Sequence, residues 1–264
     1  MGTERSKDIK EAVRELYTAL AKQQASSCCG ASQSESSSCS CGCSGIESRA
    51  QVLYSKDEIE SIAADIPSLG CGNPIALSEL QEGEMVLDLG SGGGLDCFLA
   101  ARRVGPQGRV IGLDMTPEMV RLARANAEQL SLGNVEFRLG EMEHMPVEDG
   151  SVDVVISNCV VNLSPDKDAV FVEAYRVLKP GGRLCVSDIV TRGELPEAVR
   201  DDLTQWAGCV AGALKEEDYL ERIRSAGFVD LEQQDVALAR TKEDAARAVG
   251  APIASITVKA YKPK

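Results

Sequence analysis

Val86-Leu87-Asp88-Leu89-Gly90-Ser91-Gly92-Gly93-Gly94 reads as a short apolar strand running into a turn of glycines, with Leu95 opening the helix that follows. Residues without side chains let the backbone turn tightly and approach a ligand, and a helix N-terminus just beyond them favours anionic or strongly polar groups. A dinucleotide-binding fingerprint would place a third glycine at position 95, where Leu95 stands; an acid, Asp88, lies two residues before the first glycine instead.

Outward from this loop, β-branched and aliphatic runs at 85–89, 109–114, 135–139, 152–157 and 183–188 alternate with amphipathic helical patterns at 95–104, 117–130 and 166–178. That alternation predicts a doubly wound, mostly parallel α/β sheet covered on both faces, a Rossmann-like core. A helical insert over 196–214, a helix over 216–226 and two further strands over 228–236 and 255–261 follow. Toward the N-terminus, helical patterns at 7–24 and 55–66 flank a stretch, 26–45, in which seventeen of twenty residues are Ser, Cys or Gly. With so little apolar content that stretch is expected to be mobile unless its sulfurs are tied down. The expected division is a cysteine-rich N-terminal extension (1–70), a nucleotide-binding core (71–190) and a C-terminal helix-and-strand subdomain that covers the substrate (191–264).

The net charge of −13, from 28 basic and 41 acidic residues, argues against nucleic acid or an anionic membrane as partner. No apolar run reaches the roughly 18 residues of a membrane span and the charged N-terminus is no signal peptide, so a cytoplasmic location and no membrane partner are expected. His144 is the only histidine. Neither a catalytic triad nor a histidine-based metal site can be built, and the chemistry should need no general base at the moment of attack.

The glycine loop with its preceding acid resembles that of class I methyltransferases, which use S-adenosylmethionine. Asp114 ends the second strand, where a carboxylate of a doubly wound sheet can accept both ribose hydroxyls. Met115 beside it is placed to lie against the adenine. The segment Gly140-Glu141-Met142-Glu143-His144-Met145-Pro146 resembles the adenine cap of these enzymes, which gives Glu141 the exocyclic amine and the Met142 amide a ring nitrogen. Asp88, Gly90, Gly92 and Asn158 complete the expected cofactor-binding set.

Ten cysteines are many for a chain expected in a reducing compartment. Cys97 and Cys185, among apolar neighbours, read as core. Cys71 in a Gly-Cys-Gly turn, Cys159 at the carboxyl end of the fourth strand and Cys209 in the late insert do not read as packing. Converging over the transferable methyl, they would make a soft thiolate cup. No standard C-x₂-C zinc pair exists, and no structural metal is expected.

Taken together, Gly70-Cys71-Gly72-Asn73-Pro74, the glycine loop, Gly112-Leu113-Asp114-Met115-Thr116, Ser157-Asn158-Cys159-Val160-Val161-Asn162-Leu163, Lys179-Pro180-Gly181-Gly182 and Trp206-Ala207-Gly208-Cys209 resemble the microbial arsenite methyltransferase family over nearly the whole chain. The resemblance implies methylation of arsenite and methylarsenite, presented as thiol conjugates, for arsenic detoxification. Arsenic(III) would be bound by Cys159 and Cys209, with Cys71 as third thiolate. It further implies a redox relay between Cys71 and an N-terminal cysteine, for which Cys28 or Cys29 is favoured by position and Cys43 is the alternative among Cys28, Cys29, Cys39, Cys41 and Cys43. Glutathione or thioredoxin would be the reductant, and a monomer is expected. The alternatives are a methyltransferase of the same fold acting on a quinone or sterol-like carbon, and a thiol-rich metalloid-binding protein without turnover.

Overall fold

The computed structural model describes residues 3–27, 53–55, 62, 66, 70–236 and 252–264. The cysteine-rich stretch and most of the expected second helix lie outside the described residues.

Seven strands form one sheet in the order β3-β2-β1-β4-β5-β7-β6: β1 (Met85–Leu89), β2 (Arg109–Asp114), β3 (Val135–Leu139), β4 (Val152–Asn158), β5 (Leu178–Thr191), β6 (Val229–Val236) and β7 (Ile253–Tyr261). The first five are parallel; β7 runs antiparallel to both β5 and β6. The chain order reverses between β1 and β4, and ligands of open α/β sheets bind outside the carboxyl ends of the strands at such a switch point. Asp88, Asp114, Asn158 and Asp188 all stand toward that edge.

Helices α3 (Leu95–Val104) and α4 (Pro117–Gln129) follow β1 and β2, and α5 (Lys167–Val177) leads into β5. One apolar cluster joins Phe98, Val104, Val110, Ala123 and Phe137; another joins Leu87, Leu113, Val155, Phe171, Tyr219 and Val258. The central strands bury almost every residue, as expected for strands covered on both faces. The predicted first helix is present as α1 (Thr3–Ser27), longer at both ends.

Two differences from the sequence reading bear on the site. The insert 196–214 is not one helix: α6 (Glu197–Asp201) and α7 (Leu203–Ala207) are single short helices, because Asp202 interrupts the first and caps the second by accepting from the Thr204 and Gln205 amides. A short helix α2 (Pro74–Ser78), capped by Asn73, follows the Gly-Cys-Gly turn, an element the sequence reading did not include. The remaining helix, α8 (Glu216–Ser225), matches its pattern.

At Gly112 in β2, an added Cβ would stand 2.5 Å from a Phe137 ring carbon and 2.8 Å from Ser91 Oγ in the glycine loop. Gly112→Ala is therefore expected to destabilise by about 1–3 kcal/mol, the range for forcing a methyl into a packed interior. A thermal melt several degrees lower would show this; an unchanged melt would mean that the ring and loop yield freely.

Candidate functional site

The glycine loop leaves β1 with Gly90 at φ +67°, and a Cβ there would strike Val160 at 2.3 Å. The turn is pinned by the Gly90 and Ser91 amides donating to the Leu113 carbonyl, and by the Gly92 amide donating to Asp114 Oδ2 at 2.9 Å. Asp114 Oδ1 accepts from the Thr116 amide. This carboxylate thus ties the end of β2 to the loop, and burial pushes its pKa up against those hydrogen bonds. Asp88 is buried, with burial first and the neighbouring Asp96 second raising its pKa well above the carboxylate range. The Cys97 thiol donates to Asp88 at 3.2 Å, so this cysteine is core in position but also a polar partner.

Beside the loop a cleft encloses about 1060 Å³, open mouth included, a size that suits a nucleoside-bearing ligand. Asp88, Gly90, Gly92, Asp114, Met115, Met142, Asn158 and Cys159 line it, so eight of the expected site residues share one wall. Glu141 is not among the lining residues: Lys10 of α1 donates to its carboxylate at 2.7 Å, while Glu143 lines the cleft and accepts from Ser164 Oγ. Helix α1 itself contributes Lys10, Val13 and Tyr17 to the wall, a role its amphipathic pattern did not reveal.

Asn158 spends its side chain on a neighbouring turn. Oδ1 accepts from the Cys71 amide at 2.9 Å and the Gly72 amide at 3.2 Å; Nδ2 donates to the Gly72 carbonyl, the Tyr54 hydroxyl and Asp96. The turn lies so close that a Cβ on Gly70 would meet the Asn158 side chain at 2.3 Å and one on Gly72 would meet Ser187 Oγ at 2.6 Å. Glycines on both sides of Cys71 are what permit this contact. Asn158 was expected on the cofactor; it lines the cleft and also sets the position of Cys71.

Cys71, Cys159 and Cys209 are all buried and share one apolar cluster with Trp206, Ile9 and Val13. Cys159 has φ +63° and Cys209 φ +68°, a left-handed conformation that costs a non-glycine residue about 1 kcal/mol or more and that concentrates at functional sites. Cys209 Sγ contacts the Cys159 carbonyl oxygen at 2.9 Å and Cys71 Sγ contacts the Ser187 carbonyl at 3.6 Å. The sulfurs of Cys71 and Cys159 lie within 4.8 Å of each other and of a carboxylate oxygen of Asp188. Sequence reasoning missed Asp188, although its signal, an acid closing a buried strand, is the one that found Asp114. Cys28 and Cys29 lie outside the described residues.

Lys167 is buried under this cluster. It donates to the Asn162 and Ser164 carbonyls and sits 5.0 Å from the centre of the Trp206 ring. Burial pushes its pKa down to about 8, opposed by Asp188 and Cys209.

The family described as Methyltransferase domain matches residues 80–227. An arsenite methyltransferase of Halobacterium salinarum is 46% identical over 97% of this chain and 67% of its own length. The human arsenite methyltransferase is 40% identical over 60% of this chain, which covers 44% of that protein. The crystal structure of CrArsM, an arsenic(III) S-adenosylmethionine methyltransferase from Chlamydomonas reinhardtii, superposes with a TM-score of 0.65 at 38% identity, covering 78% of this chain and 73% of that one. With the glycine loop, the acids at the strand ends and the buried cysteines in place, the chain belongs to the arsenite methyltransferase family, on the class I methyltransferase fold.

Proposed function

We propose that this chain transfers methyl groups from S-adenosylmethionine to trivalent arsenic held by Cys71, Cys159 and Cys209. The observation that carries the reading is the meeting of three buried cysteines from three segments beside a cleft floored by a glycine loop, with two of them in strained backbone. Thiolates prefer soft centres, and among the described residues no imidazole shares the cup to favour a harder ion. Zinc would bind the same sulfurs, and no structural metal belongs to this reading.

The donor set fits the methyl donor. Asp114 faces the cleft from the end of β2 to receive the ribose, Met115 and Met142 offer apolar surface for the adenine, and the Gly90–Gly92 backbone leaves room for the methionine chain. S-adenosylmethionine supplies an electrophilic methyl on a sulfonium. The protein's part is to hold arsenic with its lone pair toward that methyl and to exclude water; alignment of this kind accounts for much of a methyl-transfer rate. No residue need accept a proton, which agrees with a chain whose only histidine, His144, is not among the residues lining the cleft.

The same reading assigns a redox role to Cys71 and one of the N-terminal cysteines, Cys28 or Cys29, with Cys43 as alternative. Two thiols would return electrons to the oxidised arsenic and become a disulfide, which glutathione or thioredoxin would reduce. A cytoplasmic monomer is part of this proposal; for the described residues, no helix is long and apolar enough to cross a membrane.

Asp114→Ala should weaken S-adenosylmethionine binding by roughly 1–3 kcal/mol, the loss of charge-assisted hydrogen bonds; calorimetry giving unchanged affinity in a folded protein would contradict the ribose assignment. Cys159→Ser and Cys209→Ser should each abolish turnover of arsenite and of methylarsenite. Cys71→Ser should lose methylation of arsenite, which offers three positions to thiolates, and keep much of that of methylarsenite, which offers two. Speciation of arsenic after incubation with labelled donor and thiol reads all three variants, and a Cys159→Ser enzyme that turns over near the wild-type rate would remove the arsenic assignment.

A further inference from the structure

Lys167 opens α5, where a cation meets the positive end of the helix dipole, and it is only 6% exposed. Lysine is almost never buried to this degree unless its ammonium has partners. Burial pushes its pKa down to about 8, with Asp188 the largest opposing influence, so the side chain is an ammonium at neutral pH. It donates to the Ser164 carbonyl at 2.9 Å and to the Asn162 carbonyl at 3.3 Å, at the end of the single 3₁₀ turn Val161–Leu163. The same Nζ stands 5.0 Å from the centre of the Trp206 ring. One ammonium therefore joins two segments. The first begins at Cys159 and reaches Asn162 within a turn; the second runs from Trp206 to Cys209, whose amide donates to the Trp206 carbonyl at 2.9 Å. Beside this junction the segments also press together: a Cβ on Gly212 would stand 2.0 Å from the Asn162 carbonyl oxygen and 2.7 Å from the Trp206 ring.

Resting on the arsenic-methylating reading, we propose that Lys167 is a positioning residue: its ammonium clasps the turn after Cys159 to the Trp206 ring and so holds the Cys209 segment against Cys159 before arsenic arrives. The Cys209 sulfur, 2.9 Å from the Cys159 carbonyl oxygen, is in the place such a clasp would keep it. A cation over an indole gains strength where water is excluded, and the two carbonyl acceptors fix where the cation stands. Methylarsenite exchanges its two hydroxyls for two thiols, whose protons leave in the water released. Thiols already side by side accept arsenic without further ordering, whereas thiols on segments free to part must be brought together at the expense of affinity. Once both As–S bonds exist, they hold the segments together in place of the clasp. Lys167 thus acts on the capture of arsenic and leaves the methyl-transfer step alone.

The inference is tested on the full-length protein with Lys167→Met, which keeps the length of the side chain and removes its charge and donors. Trp206 is the only tryptophan, so its emission reads the clasp directly. Without arsenic or cofactor, wild-type emission should change with pH around a midpoint near 8, as the ammonium loses its proton, and Lys167→Met should lack that transition. The groups acting on Lys167 are Asp188 of β5, Arg222 of α8, Cys209 of the insert and Glu143 of the cap segment. Of these only a thiol ordinarily titrates near that range, and Cys209→Ser should keep the transition. At neutral pH, methylarsenite should alter Trp206 emission in Lys167→Met with a midpoint about tenfold higher in concentration than in the wild type. The single-turnover rate of methyl transfer at saturating methylarsenite should stay within about twofold. Partial unfolding would lower the amplitude of the emission change and not move its midpoint. Should Lys167→Met fail to fold, Lys167→Gln, which still offers donors to the carbonyls but no charge to the ring, takes its place with the same expectations. An unchanged midpoint, a saturated rate that falls with the affinity, or the same pH curve in wild type and variant would overturn the proposal. A wild type whose emission ignores methylarsenite would overturn the reading beneath it, and the pH arm would still report on the contact between Lys167 and Trp206.

Discussion

The Asn158 carboxamide ties three segments together at the carboxyl edge of the sheet: its own strand, the Gly70-Cys71-Gly72 turn that it clamps through both amides, and Asp96 with Tyr54 beneath the glycine loop. Parallel strands buried on both faces end in backbone and side-chain polar groups that water cannot reach, and each must find a partner inside the protein. Here those partners are one another. Asp114 answers the loop amides, Asn158 answers the cysteine turn, and Asp188 answers Asn162 and Tyr219. A site follows almost as a by-product, because the residues that satisfy the edge are also the ones that face the cleft.

That arrangement suits the chemistry proposed for it. The cysteines are buried in one apolar cluster with Ile9, Val13 and Trp206, and electrostatic interactions strengthen where water is excluded. Holding Cys159 and Cys209 at positive φ adds a conformational cost that the packed surroundings impose. Two of the five described non-glycine residues at positive φ are thus cysteines of this cluster.

Helix α1 closes the same space from outside. Arg5 bonds to Asp201 and the Arg200 carbonyl, Lys10 to Glu141 and Glu143, and Thr18 to Glu118, so one helix touches the insert, the cap segment and α4. Ile9 and Val13 bury their side chains beside the cysteines. Exposed ion pairs of this kind contribute little individually; the buried apolar face anchors the helix, and the polar contacts set its register over the cleft.

The strand-helix alternation, the glycine loop and the strand-end places of Asp88 and Asp114 were legible in the sequence, as was the singling out of Cys71, Cys159 and Cys209, because period, turn chemistry and residue type are local properties. The insert was read as helical, but not how its helices divide: Asp202, a capping residue inside the pattern, ends one and starts the next. Asp188 was missed for a different reason: an acid closing a strand gives no sign of which thiols it will meet. Only the pairing of β5 beside β4 brings its carboxylate to Cys159, and only the Asn158 clamp brings Cys71 to both. Likewise Glu141 was aimed at a ligand by its segment, while its observed partner, Lys10, comes from a helix 131 residues away. Sequence by itself determined which chemistry the chain carries; tertiary structure decided which groups share a space, since distance between remote segments is set by sheet order and packing and by nothing in the local pattern.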